Sequence, residues 1–148
     1  MTKDVLITIS GLQIADDTSA QPVEVITSGE YYCRNGKHYI LYDEVMEGFQ
    51  GVTKNRIKLY ENCLDITKKG ISNVHMIFEK NKKNVAYYET PYGSILLGIS
   101  ASNFEMKETE DSIRLKVDYA LDINEEPLAD CKIRIRIQSK DAGFSLRQ

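Results

Sequence analysis

The chain has 148 residues, 42% hydrophobic and 28% charged, the balance of a soluble globular protein with room for one core. A net charge of −3 and a pI near 5.5 argue against a dedicated nucleic-acid binder, whose affinity comes mostly from neutralising phosphates, while leaving a local basic patch open. No apolar run approaches the ~20 residues of a membrane-spanning helix, and the opening MTKDVLITISG is strand-like at once, without a signal-peptide pattern.

Residues 5–11 alternate, with Val5, Ile7, Ile9 and Gly11 on one face. Residues 16–22 read as a polar loop. Residues 23–45 (VEVITSGEYYCRNGKHYILYDEV) are two alternating runs around Asn35-Gly36. That dipeptide predicts a hairpin, because a type I′ turn needs positive φ at both central residues. In that register Arg34 faces Lys37, Tyr31 faces Ile40 and Gly29 faces Tyr42. Val25, Thr27, Gly29, Tyr31 and Cys33 then share a face with His38, Ile40, Tyr42 and Glu44. The opposite face is more charged and carries Tyr32 and Tyr39, so the first is expected to point inward.

Residues 46–53 make a longer connection, with room for one helical turn at 46–49. A second hairpin is expected from 55–60 and 63–69 around Glu61-Asn62. It sets Ile57 against Ile66 and Leu59 against Leu64, with an ion pair of Lys58 and Asp65 on the other face. Residues 74–79 and 85–90 are strands flanking an exposed turn at 81–84. Pro91-Tyr92-Gly93 punctuates the chain, and 94–106 is extended again, with Gly98 the expected bend or bulge. After a charged turn, residues 113–123 alternate throughout. Residues 124–127 turn the chain, and 129–137 alternate with Cys131, Ile133, Ile135 and Ile137 inward. Residues 139–148 read as a polar tail that frays.

About ten evenly spaced strands with turn chemistry between neighbours imply sequential antiparallel pairing. An open sheet of that width would expose its edges, and closure removes them. The expected fold is all-β: one antiparallel up-and-down β-barrel spanning residues 1–148, with a two-sheet sandwich as the alternative.

The stretches VLITISGLQ (5–13), TSGEYYCRNGKHYILYDE (27–44), MIFE (76–79) and TPYG (90–93), followed by two closing alternating strands, resemble the YwiB-like family of small bacterial proteins of unknown function. The resemblance covers almost the whole chain and rests on order and spacing rather than on one motif. It implies a calycin-like (lipocalin-like) β-barrel. It implies no activity, substrate or binding residue.

The chemistry is sparse. His38 and His75 are the only histidines, and Cys33 faces His38 across the first hairpin. Tetrahedral zinc wants three or four ligands, and no metal spacing is present. A Cys33–His38 dyad would need an electropositive site to ionise the thiol. No nucleophile elbow or phosphate-cradling glycine loop appears, and no cofactor is expected. The balance leans away from an enzyme. Cys33, Cys63 and Cys131 are odd in number and far apart, so a reducing cytoplasm is expected rather than a disulfide framework.

Two features carry functional expectations. Tyr31, Tyr42, Tyr88 and Tyr119 fall at inward positions, with Glu44 and Lys68 as charged anchors. Tyrosine pairs an apolar ring with one hydrogen-bonding tip, which suits a ligand-holding interior. A small, partly apolar ligand inside a non-enzymatic barrel is therefore the first expectation. Its plain counterpart is tyrosine as a strand former. Second, Arg114 and Lys116 alternate outward on one late strand, and Lys132, Arg134 and Arg136 on the next. Paired, they form a basic stripe for an anionic macromolecule, or simply a solvated face that keeps two apolar strands soluble.

Overall fold

The computed structural model describes residues 1–11, 24–45, 48 and 50–140. The expected loop at 16–22, most of the 46–49 turn and the tail after Lys140 lie outside these residues. Ten strands make one antiparallel sheet: β1 (Asp4–Ser10), β2 (Glu24–Arg34), β3 (Lys37–Glu44), β4 (Thr53–Tyr60), β5 (Cys63–Lys69), β6 (Val74–Glu79), β7 (Lys83–Thr90), β8 (Gly93–Glu108), β9 (Ser112–Ile123) and β10 (Glu126–Ser139). Their order is β6-β5-β4-β3-β2-β1-β10-β9-β8-β7. Every neighbour is adjacent in sequence except β1 and β10, which pair from Val5↔Ser139 to Ser10↔Arg134. The remaining edges, β6 and β7, curl back on each other. There Asn73 and Glu89 exchange two backbone hydrogen bonds of 2.8 Å, and the Asn81 N–H donates to the Ala101 carbonyl at 2.8 Å. The result is a nearly closed up-and-down barrel.

Both hairpins adopt the register that their turn residues dictate. Asn35 and Gly36 take φ of 53° and 76°, and Arg34 meets Lys37 while Tyr31 meets Ile40. His38, Ile40 and Tyr42 are buried, so the expected inner face is the inner face. In the second hairpin Ile57 meets Ile66, Leu59 meets Leu64 and Lys58 faces Asp65. The expected Lys58–Asp65 ion pair is replaced, however. Asp65 takes His75 Nε2 at 2.8 Å, and Lys58 Nζ lies over the rings of Tyr39 and Tyr60.

Three other expectations are corrected. Gly98 is not a bulge: it pairs with Asp122, whose carboxylate occupies the space a Cβ would need, and the register slips instead between Ala101 and Asn103. β10 starts at Glu126 rather than 129, because Asn124 and Glu125 (φ 51° and 71°) complete the turn alone. A slip between Pro127 and Ala129 accommodates a proline that cannot donate to the ladder. Ser139 does not fray. It is fully buried, its N–H donating to the Asp111 carbonyl at 2.9 Å and its Oγ accepting from the Thr2 N–H at 3.0 Å.

The interior is apolar and filled. Ile7, Ile40, Ile57, Ile66, Met76, Phe78, Leu97, Leu115 and Ile137 come from eight strands, Met76 and Phe78 sharing β6, and all are at most 1% exposed. Phe78 and Tyr119 meet edge to face, their ring centroids 5.0 Å apart. Gly29 lets three strands close over this core. A Cβ there would stand 2.5 Å from Ile7 Cδ1 and 2.6 Å from the Leu41 carbonyl oxygen. Gly29→Ala is expected to destabilise the fold by about 1–3 kcal/mol, since backbone must move. Gly98→Ala is expected to cost less, because the Asp122 side chain can swing aside and give up its 3.0 Å pair with Lys83. Urea-denaturation midpoints of the two variants check the order.

Candidate functional site

One end of the barrel carries the β2–β3 and β4–β5 turns and is the hairpin end; Gly11 and the β3–β4 connection mark the far end. The six residues expected to contact an interior ligand do not all meet in one place, although Tyr42, Glu44 and Lys68 gather at the far end. Glu44 and Lys68 meet at the far end, with Asn55 between them. Lys68 Nζ donates to Glu44 Oε1 at 3.0 Å and to Asn55 Oδ1 at 2.8 Å. Asn55 Nδ2 donates in turn to the Thr53 carbonyl at 3.3 Å and to Glu44 Oε1 at 3.4 Å. The arrangement follows from register, because Glu44 pairs with Thr53 and Asn55 pairs with both Tyr42 and Lys68. The Tyr42 phenol is pushed upward by burial and then by the Glu44 charge. Tyr119 is spent elsewhere: its hydroxyl donates to the Gly11 carbonyl at 3.3 Å, and burial pushes its phenol upward too. Tyr88, on β7, is partly buried against the core.

Tyr31 stands opposite Ile40, roughly 13 Å from Glu44 along β3, and turns its hydroxyl toward the hairpin end. Its hydroxyl lies 2.7 Å from His38 Nδ1, and His38 Nε2 lies 3.4 Å from Glu108 Oε1. A carboxylate only accepts, so Nε2 carries the proton and Nδ1 accepts from Tyr31 when the ring is neutral. Burial, then the charges of Cys33 and Glu108, push the Tyr31 phenol up to about 12. Cys33 does face His38 in register, but the imidazole nitrogens are engaged by Tyr31 and Glu108. Glu108 reaches His38 from β8, on the other side of the barrel mouth. Nothing in residue spacing points to it. Cys63 and Cys131 are pushed upward chiefly by burial, which suits inert thiols. Among the described residues no group of three or more His, Cys, Asp or Glu side chains could hold a metal ion.

The outer wall is more eventful than the inner one. A recess of about 720 Å³ opens on the outer face of β1 to β5, lined by Ser28, Glu30, Leu41, Lys54, Arg56 and Lys69 among others. Of the six expected ligand contacts, only Tyr42 borders it. The expected basic residues come together on β9 and β10, and Lys107 of β8, which is not among them, joins the row. Lys107 faces Arg114 and Arg114 faces Arg136, while Lys116 faces both Glu105 and Arg134. Lys132 faces Asp118, and Arg134 Nη1 lies 3.7 Å from Asp118 Oδ1. All but Arg134 among these cations are exposed.

Ten antiparallel strands, a packed interior and two polar end clusters define a small meander β-barrel. A family model described as a domain of unknown function, DUF1934, matches residues 7–135, and the chain belongs to that family. The chain is similar to the uncharacterized β-barrel protein YwiB of Bacillus subtilis (strain 168), at 25% identity over 113 residues, 76% of this chain and 78% of the relative. It is also similar to the crystal structure of the ywiB protein from Bacillus subtilis, with a TM-score of 0.72 and 20% identity over 93% of this chain and 92% of that one. That likeness is one of fold.

The far-end cluster makes an asymmetric prediction. Lys68 has a nearly buried side chain, whereas that of Glu44 is 42% exposed. Glu44→Ala strands a buried ammonium and is expected to cost about 1–3 kcal/mol. Lys68→Met leaves a carboxylate that water can reach and is expected to cost less than about 1.5 kcal/mol. Chemical denaturation of the two variants measures the difference.

Proposed function

We propose that this protein is a non-enzymatic binding module that contacts an anionic macromolecule through the outer face of β8 to β10. The observation that carries the reading is the row Lys107–Arg114–Arg136, three like charges facing one another across three strands. Like charges directly opposite destabilise a sheet. Lys116 opposite Arg134 adds another such pair, eased by Glu105 and Asp118. Mixed signs are enough to keep a face solvated, so solubility alone does not call for a row of one sign. A polyanion would relieve the repulsion on binding. Cytoplasmic residence belongs to the same proposal and is supported by three free cysteines, Cys33 among them exposed.

Removing the row separates function from folding. Arg114→Ser with Arg136→Ser is expected to elute earlier from a heparin matrix and to melt slightly higher than the parent chain. Unchanged elution would defeat the proposal.

A second reading keeps the small ligand, at the far-end mouth. The Glu44–Asn55–Lys68 cluster favours it, as an anchor on the inner wall beside Tyr42. The cluster lies at a mouth rather than within the packed core, so a ligand held there needs no internal void. Native mass spectrometry of the purified chain decides. A retained small molecule that is lost in Lys68→Met supports this reading, and a bare mass under gentle conditions sets it aside.

A further inference from the structure

On the outer face of β2, β3 and β4, three tyrosines and three cations interleave. Register sets Tyr32 opposite Tyr39, Tyr39 opposite Lys58, and Arg34 opposite Lys37. The Tyr32 and Tyr39 rings stack with centroids 4.8 Å apart and planes 6° from parallel. The Arg34 guanidinium lies 5.9 Å from the Tyr32 centroid. Lys58 Nζ lies 5.7 Å from the Tyr39 centroid and 5.2 Å from that of Tyr60, over which Lys37 Nζ also stands at 5.0 Å. None of these six side chains contributes to the interior. They occupy the parity that folding leaves to solvent, yet they are mutually ordered.

We propose that this tyrosine–cation platform binds single-stranded nucleic acid, stacking bases on Tyr32, Tyr39 and Tyr60 and meeting phosphates with Arg34, Lys37 and Lys58. Every base has a π-face, so aromatic platforms bordered by cations suit single strands irrespective of sequence. A stacked base gains more from an aromatic ring than an exposed ammonium does. A base can therefore displace a lysine from its ring, and the freed ammonium then meets the neighbouring phosphate. Duplexes hide their bases, and acidic peptides bring charge without planar rings. The nearby acids do not cancel the patch. Asp65, which faces Lys58, is buried and held by His75 at 2.8 Å, and Glu79, whose charge also reaches Tyr60, pairs with Lys82 at 3.5 Å, which leaves Glu30 on β2 and Glu61 in the β4–β5 turn. The net charge of −3 belongs to the whole chain and does not describe this face. The platform is separate from the basic rows on β8 to β10, and the proposal stands whether or not those rows bind.

The test is fluorescence anisotropy of the full chain with a labelled oligouridine of about twelve nucleotides, a length within the site sizes of single-strand binders. Tyr39→Ala with Tyr60→Ala is expected to weaken binding about tenfold or more per ring removed. Tyr39→Phe with Tyr60→Phe, which keeps the rings, is expected to bind like the parent. If the alanine variant does not fold, the unmodified chain decides the matter against an abasic oligomer with the same phosphates, whose binding is expected to be at least tenfold weaker. Equal affinity for the abasic oligomer, for duplex RNA or for polyglutamate overturns the proposal. So does a loss of oligouridine binding in Arg114→Ser with Arg136→Ser that the tyrosine variant does not share, since that puts the contact on β9 and β10.

Discussion

Six residue pairs, from Val5 opposite Ser139 to Ser10 opposite Arg134, join the first strand to the last. Every other ladder links strands that follow one another along the chain, across connections of at most thirteen residues. The β1–β10 ladder must instead close a loop that spans almost the whole sequence. The closure penalty grows only with the logarithm of length. It is offset by packing Val5, Ile7 and Ile9 beside Ile133, Ile135 and Ile137, all buried. Without this ladder the meander would be an open sheet, with β1 and β10 as long apolar edges. Closure also shifts the weak point of the barrel to the β6–β7 seam, where the Asn73–Glu89 bridge stands in for a full ladder.

The same closure decides what faces outward. Side chains alternate with a period of two, so once Ile133, Ile135 and Ile137 are inside, Lys132, Arg134 and Arg136 have nowhere to go but out. Turn chemistry does this at the hairpins. Asn35-Gly36 leaves no choice about Tyr31 opposite Ile40, nor about Tyr32 opposite Tyr39 on the other face.

Most of the fold was legible for this reason: strand number, hairpin registers and inner faces follow from alternation and turn residues, which are local. What was illegible depends on side chains meeting across space. Gly98 reads as a bend in the sequence, whereas its role is to admit the Asp122 carboxylate from β9. Lys58 opposite Asp65 reads as an ion pair, but His75 from β6 takes the carboxylate and two tyrosine rings take the lysine. Glu108 reaches His38 across the barrel mouth, a contact set by curvature. The site was less legible than the fold. Inward parity identifies Tyr31, Tyr42, Tyr88 and Tyr119 as a set, but parity says nothing about height along the axis. The inner wall sets Tyr31 only two residues from Tyr42 but turns its hydroxyl away to His38, and core packing with Phe78 claims Tyr119.

A filled barrel of this size has few inner positions to spare. Each inward side chain removed from the core leaves a cavity, and each polar one needs partners, as Glu44, Asn55 and Lys68 show by satisfying one another. Outward positions carry no such burden, so chemistry unrelated to folding can collect there. The distribution of charge fits that division. Acids concentrate at strand ends and turns, among them Glu61, the run from Glu108 to Asp111, and Glu125 with Glu126. Lys107, Arg114, Arg136, Lys116 and Arg134 occupy strand interiors or lie close to them, where register brings like charges side by side. A chain of net charge −3 can thus carry a local row of like cations, Lys107, Arg114 and Arg136, beside which Glu105 and Asp118 offset Lys116 and Arg134.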